Sequence, residues 1–113
     1  MTVPDGLHLS EKHLAMVEVL LEKHLPGVEV WAYGSRVNGR SHSGSDLDLV
    51  LRREALKPID PSRMRAIAEA FRESNIPFIV DAHDWATLPD SFHAEILRNH
   101  VVLLAGDFEQ QGG

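Results

Sequence analysis

Hydrophobic residues recur at regular spacing along most of the chain. Leucines and valines three and four positions apart behind Ser10, a favourable N-cap, predict an amphipathic helix over residues 11–24. Alternating apolar and polar positions predict a strand over residues 28–33 and a second over 46–51. The second strand carries leucines on one side and acidic residues on the other.

The remaining segments complete an alternating pattern of helices and strands. Residues 34–45 are rich in glycine and serine and predict a loop, with one helical turn between Ser35 and Gly39. Further on, the pattern predicts a helix over 61–74, a strand over 78–82, a helix over 90–98 and a short strand over 101–104. This order predicts an α/β fold with helices packed on a mixed sheet. We expect residues 1–113 to form one domain, with 105–113 as a frayed tail.

Composition narrows the possible functions. The chain has no cysteine, which excludes disulfides, thiolate metal sites and thiol nucleophiles. Seventeen acidic against eleven basic residues give a net charge of -6, which argues against direct nucleic-acid binding. No apolar run approaches the roughly 20 residues of a membrane span, and the N-terminus lacks a signal-peptide pattern. We therefore expect a cytoplasmic protein, without membrane contact, that engages a basic partner or a substrate held through cations.

One motif with fixed spacing contains candidate metal-binding residues. Gly34-Ser35 follows the first strand directly, ten residues intervene, and Asp46-x-Asp48 opens the next strand. Acidic residues two apart on a strand point to the same side, and their repulsion favours a bound divalent cation. Oxygen ligands select Mg²⁺ first and Mn²⁺ next. Asp81 is the natural third carboxylate, and Asp84, the second choice, is better explained as a cap of the turn before Trp85.

The loop residues of this motif are suited to phosphate. A glycine lets the backbone approach a phosphate closely, and the Ser35 hydroxyl and nearby amides can donate to its oxygens. Arg36 and Arg40 could neutralise the rest of a triphosphate, although a solvated loop explains them equally well. Together, Gly34, Ser35, Arg36 and Arg40 with the three aspartates indicate a nucleotidyl-transfer site. Two aromatic residues of the first strand, Trp31 and Tyr33, are interpreted as packing under a helix.

The segments WAYGSRVNGRSHSGSDLDLVL, IPFIVDAHDW and FHAEILRNHVVLL together resemble the minimal nucleotidyltransferases of the DNA polymerase beta superfamily. Within it, they resemble the MNT-domain antitoxins that act on HEPN-domain toxins. The resemblance implies that Gly34 and Ser35 hold the nucleotide phosphates and that Asp46, Asp48 and Asp81 bind metal. It further implies transfer of AMP from ATP to a tyrosine of the partner toxin, which silences its ribonuclease activity.

Two other functions stay open at this point. The chain could be a binding module that blocks its toxin sterically, with structural aspartates. It could also be a nucleotidyltransferase that acts on a small molecule. The sequence shows no element that reads a base and therefore does not indicate which nucleotide is preferred.

Overall fold

The computed structural model describes residues 3–42 and 44–106. Its helices are α1 (Glu11–His24), α2 (Ser35–Asn38), α3 (Pro61–Arg72) and α4 (Asp90–Arg98). Its strands are β1 (Glu29–Tyr33), β2 (Leu47–Arg52), β3 (Val80–Asp84) and β4 (Val101–Leu104). Short 3-10 turns occupy Glu54–Leu56 and Trp85–Thr87. The predicted order of elements is confirmed, including the helical turn after Gly34.

The four strands form a mixed sheet in the order β3-β2-β1-β4. Strand β1 lies in the centre and runs antiparallel to both β2 and β4. Strand β3 runs parallel to β2 along one edge. The predicted α/β fold with helices packed on a mixed sheet is therefore confirmed.

The main hydrophobic core lies between one face of the sheet and helices α1 and α3. The fully buried side chains of this core include Leu14, Val17, Leu21, Val30, Ala32, Leu47, Leu49, Leu51 and Ile67. Helix α1 begins as predicted, because Ser10 Oγ accepts a hydrogen bond from the backbone N–H of His13 at 3.2 Å. Helix α3 begins at Pro61 behind the side-chain cap of Asp60.

A second, smaller core covers the opposite face of the sheet. Trp31 and Val50 pack there against Trp85 and Ile96, so α4 and the turn before it lie over β1 and β2. The Arg52 guanidinium lies 4.0 Å from the Trp31 ring centroid and forms an ion pair with Glu29. The interpretation of Trp31 as a packing residue is confirmed.

The predicted position of the third strand, residues 78–82, is wrong by two residues. The structure starts β3 at Val80, which pairs with Leu47 at the beginning of β2. Phe78 lies before the strand, and its ring contacts the guanidinium of Arg36 at 4.3 Å. Because β3 is an edge strand, its own sequence is mostly polar, and the apolar residues that suggested a strand lie just before it.

Smaller differences affect the ends of three other elements and the tail. The first two strands each begin one residue later than predicted, and α3 ends at Arg72 instead of residue 74. Of the predicted frayed tail, residues 107–113 lie outside the described residues. No helix within residues 3–42 and 44–106 has the length and apolar character needed to cross a membrane.

Candidate active site

The strand register aligns the candidate site across the sheet. Tyr33 on β1 pairs with Asp48 on β2, and Asp48 pairs with Asp81 on β3. Paired residues on neighbouring strands share a face and lie about 5 Å apart. Asp46 precedes β2 and falls on the same side as Asp48. The structure therefore brings all three predicted aspartates to the same face of the sheet, at the end where β1 leads into the Gly34-Ser35 turn.

Gly34 forms the turn from β1 into α2 directly against Asp48. Its backbone has φ 82° and ψ −153°, a combination that is essentially restricted to glycine. A Cβ atom built on this glycine would overlap Asp48 Oδ2 and lie 3.3 Å from Asp48 Cγ. The motif glycine thus meets two independent requirements, the turn conformation and the close approach of the carboxylate.

The Gly-Ser turn also starts a helix. The Gly34 carbonyl accepts hydrogen bonds from the N–H groups of Val37 at 3.0 Å and Asn38 at 3.1 Å. The first N–H groups of a helix have no acceptor within it and are suited to an anion. Half-buried Ser35 is the first residue of this helix. Gly34 and Ser35 therefore lie at the start of a helix, and phosphate binding by these two residues stays a prediction.

Negative charge accumulates at this end of the sheet. Burial raises the pKa of the Asp48 carboxyl, and the charges of Asp81 and Asp46 raise it further, whereas His83 opposes them. Burial, followed by the charges of Asp48 and Asp81, also raises the pKa of Tyr33 to about 12. These directions show that the carboxylates are close enough to repel one another in a partly dehydrated setting.

This arrangement fits a divalent cation in its chemistry. The donors are carboxylate oxygens, which hard ions such as Mg²⁺ prefer. A cation would offset both the burial and the carboxylate repulsion that raise the pKa of Asp48. Among residues 3–42 and 44–106, however, no three acidic or histidine side chains converge closely enough to form a ready metal-binding group. Asp81 Oδ2 instead lies 3.1 Å from His83 Nε2.

The two predicted phosphate-binding arginines occupy different environments. Arg36 is only 3% exposed, and its guanidinium donates to the Ser45 carbonyl at 2.9 Å and the His8 carbonyl at 2.7 Å. These bonds tie the loop before Asp46 to the N-terminal segment, so the placement of Arg36 indicates a structural role. Arg40 is exposed, and its backbone N–H donates to Asn38 Oδ1 at 3.1 Å. A phosphate contact of Arg40 stays a prediction.

Asp84 does not belong to the acidic group. It is 5% exposed, and its carboxylate accepts hydrogen bonds from the N–H groups of Ile59 at 2.8 Å and Ala86 at 3.1 Å. It caps the turn at Trp85–Thr87, as the sequence interpretation favoured. This leaves Asp81 as the candidate for the third carboxylate.

The sequence interpretation treated Tyr33 only as a packing residue and missed that it lies at the candidate site. It partly packs against the second core, as expected, but it also pairs with Asp48 and lines a cavity of about 380 Å³ beside Gly34. Its direct adjacency to the motif glycine could have suggested this role. The predicted strand ended at Tyr33, which places the side chain at the same sheet edge as the phosphate-binding turn.

Comparison with known proteins defines the class of this chain. The sequence profile described as polymerase beta, nucleotidyltransferase, matches residues 17–109. The chain therefore belongs to the polymerase beta nucleotidyltransferase family.

One curated relative is similar over almost the whole chain. This Haemophilus influenzae (strain ATCC 51907 / DSM 11121 / KW20 / Rd) protein bears the name "Probable protein adenylyltransferase MntA". It is 39% identical over 103 residues, which cover 91% of this chain and 89% of the relative. The expected resemblance to minimal nucleotidyltransferases is confirmed.

Solved structures share the fold at low identity. A chain of a toxin-antitoxin crystal structure with AMP-PNP superposes with a TM-score of 0.67 at 18% identity, covering 91% of this chain and 79% of that chain. A chain of the Shewanella oneidensis complex of tri-AMPylated HEPN toxin with MNT antitoxin gives 0.65 at 14% identity, covering 91% and 78%. These likenesses support the polymerase beta-like fold.

Proposed function

We propose that this chain is an antitoxin that transfers AMP from ATP to a tyrosine of a HEPN-domain toxin and thereby neutralises it. The observation that carries the proposal is the alignment of Asp48 and Asp81 on adjacent strands beside the Gly34-Ser35 turn. The relative named as a protein adenylyltransferase, 39% identical over 91% of the chain, supports a protein acceptor. The structures of MNT antitoxin with AMPylated HEPN toxin support the class of partner.

Each site residue has a role in this proposal. Asp46, Asp48 and Asp81 would hold Mg²⁺, with Mn²⁺ as a substitute. When bound, the ion would neutralise phosphate charge and favour attack at the α-phosphorus. The Ser35 hydroxyl and the amides at the start of α2 would bind oxygens of the β- and γ-phosphates. Placement and charge neutralisation would supply most of the rate.

The transfer step requires one proton acceptor. In the proposal, Asp81 accepts the proton of the incoming tyrosine hydroxyl, with His83 Nε2 lying 3.1 Å from Asp81 Oδ2. The phenolic oxygen then forms a bond to the α-phosphorus as the bond to the bridging oxygen of the β-phosphate breaks. Pyrophosphate leaves with that electron pair. Burial and the neighbouring carboxylates raise the pKa of Tyr33 to about 12, so loss of its phenolic proton costs more than for an ordinary tyrosine, which disfavours Tyr33 as a competing acceptor.

The test combines the purified chain, a HEPN-domain toxin encoded beside it, Mg²⁺ and ATP labelled at the α-phosphate. Label and an AMP mass increment are expected on a toxin tyrosine, together with loss of toxin ribonuclease activity. Asp46→Asn should abolish both, whereas Leu97→Ala, on the exposed side of α4, serves as the matched control.

Other outcomes would replace the proposal. If Asp46→Asn protects cells from the toxin as well as the wild-type chain does, the steric binding module is the better explanation. If ATP is consumed with a small-molecule acceptor and no label reaches any protein, the chain is a small-molecule nucleotidyltransferase. Mixing the chain and toxin without ATP separates steric inhibition from inhibition by transfer.

A further inference from the structure

A cavity of about 380 Å³ adjoins the Gly-Ser turn, beside the end of β1 and helix α4. Its lining includes Tyr33 and Gly34 at the end of β1, Asn38 of α2, Phe92 and Ile96 of α4, and Asn99 after α4. Cavities of roughly 300–1,000 Å³ bind small molecules in proteins. Because Gly34 belongs to both the turn and the cavity wall, a ligand with phosphates at the turn would reach directly into this space.

The charge of the cavity differs from that of the acidic site. Its charged lining residues are Glu95 and Arg98, which form an ion pair with 3.6 Å between carboxylate and guanidinium. Their charges cancel, so the cavity offers no net attraction for a phosphate or a metal ion. The acidic group of Asp46, Asp48 and Asp81 on the neighbouring strands would instead attract a cation and, through it, phosphates. The cavity is therefore suited to the uncharged part of a nucleotide.

The lining offers two features that a nucleobase requires. The Phe92 side chain is 51% exposed, which leaves a large aromatic surface free for stacking. Within the described part of the chain, the side-chain amide of Asn99 makes no hydrogen bond, whereas Asn38 Oδ1 already accepts one from the Arg40 N–H. An asparagine amide can pair with the donor and acceptor on the edge of adenine, but guanine presents two acceptors at the same edge.

We propose that this cavity binds the nucleoside of the nucleotide substrate, with Phe92 stacking on the base and Asn99 selecting adenine over guanine. The inference rests on the proposed function, since it assigns the remaining part of the same substrate. It supplies the base-reading element that the sequence did not reveal. The same residues would give the enzyme a preference for ATP over GTP.

The test measures binding of ATP, GTP and inorganic tripolyphosphate by calorimetry in the presence of Mg²⁺. Phe92→Ala should weaken ATP binding at least about fivefold, the lower range for loss of one stacked base, and leave tripolyphosphate binding unchanged. Asn99→Ala should bring the ATP and GTP affinities closer together. Leu97→Ala is the control, because Leu97 is a similarly exposed apolar residue of α4 that does not line the cavity.

Two results would overturn the inference. In the first, Phe92→Ala binds ATP as tightly as the wild type but binds the toxin more weakly, which would assign the cavity to the protein partner. The other is an unchanged ratio of ATP to GTP affinity in Asn99→Ala.

Failure of the proposed function looks different. The wild-type chain would then bind ATP more tightly than tripolyphosphate, and Phe92→Ala would remove this difference, yet no AMP would reach the toxin. Conversely, normal transfer to the toxin with no effect of Phe92→Ala on ATP binding would refute only the nucleoside site.

Discussion

Replacing Gly34 with alanine tests whether the Gly34 turn and the Asp48 carboxylate are in close contact. A non-glycine residue at φ 82° and ψ −153° costs about 1–3 kcal/mol of backbone strain. The new methyl group would also overlap Asp48 Oδ2, so either the turn or the Asp48 side chain must move. We expect the free energy of unfolding of Gly34→Ala to fall by about 2–6 kcal/mol, the sum of about 1–3 kcal/mol of strain and about 1–3 kcal/mol of overpacking.

Gly39 provides a control for a positive-φ glycine with open space around it. Its φ is also 82°, but its ψ of 8° places it in the left-handed helical region, which costs a non-glycine residue less than the conformation of Gly34, and a Cβ atom there would meet nothing within 4 Å. Gly39→Ala should therefore cost only about 1 kcal/mol, since left-handed strain is partly offset by the lower entropy of the unfolded chain. Urea unfolding measures both changes, and thermal unfolding should show a difference of roughly 4 °C for each kcal/mol.

The contact with Asp48 is isolated by a double-mutant cycle. Asp48→Ala removes the overlapping carboxylate, so Gly34→Ala should cost less in the Asp48→Ala background by at least about 0.5 kcal/mol. AMP transfer by Gly34→Ala should fall about 10²-fold, the size expected for a displaced site group. If Gly34→Ala is no more destabilising than Gly39→Ala and the cycle shows no coupling, the described contact between turn and carboxylate is incorrect.

Three further predictions follow from the electrostatics of the site. Because the pKa of Asp48 is raised by folding, its ionisation destabilises the native state as pH rises through the interval between its unfolded and folded pKa. Urea unfolding without metal should therefore show that Asp48→Asn is more stable than the wild type at pH 7. This difference should disappear below a pH of about 4, the pKa of a free Asp. Equal stability of the two proteins at pH 7 would contradict the mutual repulsion of the carboxylates. Mg²⁺ should stabilise the wild type and not Asp48→Asn in thermal unfolding, and chelation should stop AMP transfer until Mg²⁺ or Mn²⁺ is restored. Arg36→Ala should lower the free energy of unfolding by about 1.5–3 kcal/mol, because it removes charged hydrogen bonds to two carbonyls. Arg40→Ala should change the free energy of unfolding by less than about 0.5 kcal/mol and raise the KM for ATP. If Arg36→Ala is as stable as the wild type, the structural role of that guanidinium is refuted.

Local sequence patterns predicted most of the fold, for physical reasons that also explain the error at β3. The leucines of β2 are buried under helices on one face, so alternation identifies that strand well. Strand β3 lies at an edge, where only part of one face is covered, and its apolar pattern is weak. Phe78 and Ile79 look like strand residues, but Phe78 packs against Arg36 and Ile79 is 65% exposed. Only the tertiary contacts assign the strand to Val80–Asp84.

The candidate site likewise combines residues that local spacing identifies with contacts that only the structure reveals. Gly34, Ser35, Asp46 and Asp48 are close in sequence, so their spacing alone identified the motif. Individual hydrogen bonds between residues far apart in the sequence were not visible. Arg36 reaches His8, 28 positions away, and Asp84 accepts from Ile59, 25 positions away. A charged residue in a motif loop therefore needed the structure to separate ligand binding from loop anchoring.

The sheet explains why acidic and neutral parts of the site lie side by side. Strand β1 ends at Tyr33 between the acidic strands β2 and β3 on one side and β4 on the other. Burial, and then the carboxylates of Asp48 and Asp81, raise the pKa of Tyr33, whereas the cavity that Tyr33 also lines is bounded by the balanced pair Glu95 and Arg98. A nucleotide has the same division, with charged phosphates at one end and an uncharged nucleoside at the other. Gly34 lies at the junction of the two parts, where a Cβ atom would overlap Asp48 Oδ2, so a glycine at this position keeps the turn and the acidic group in contact.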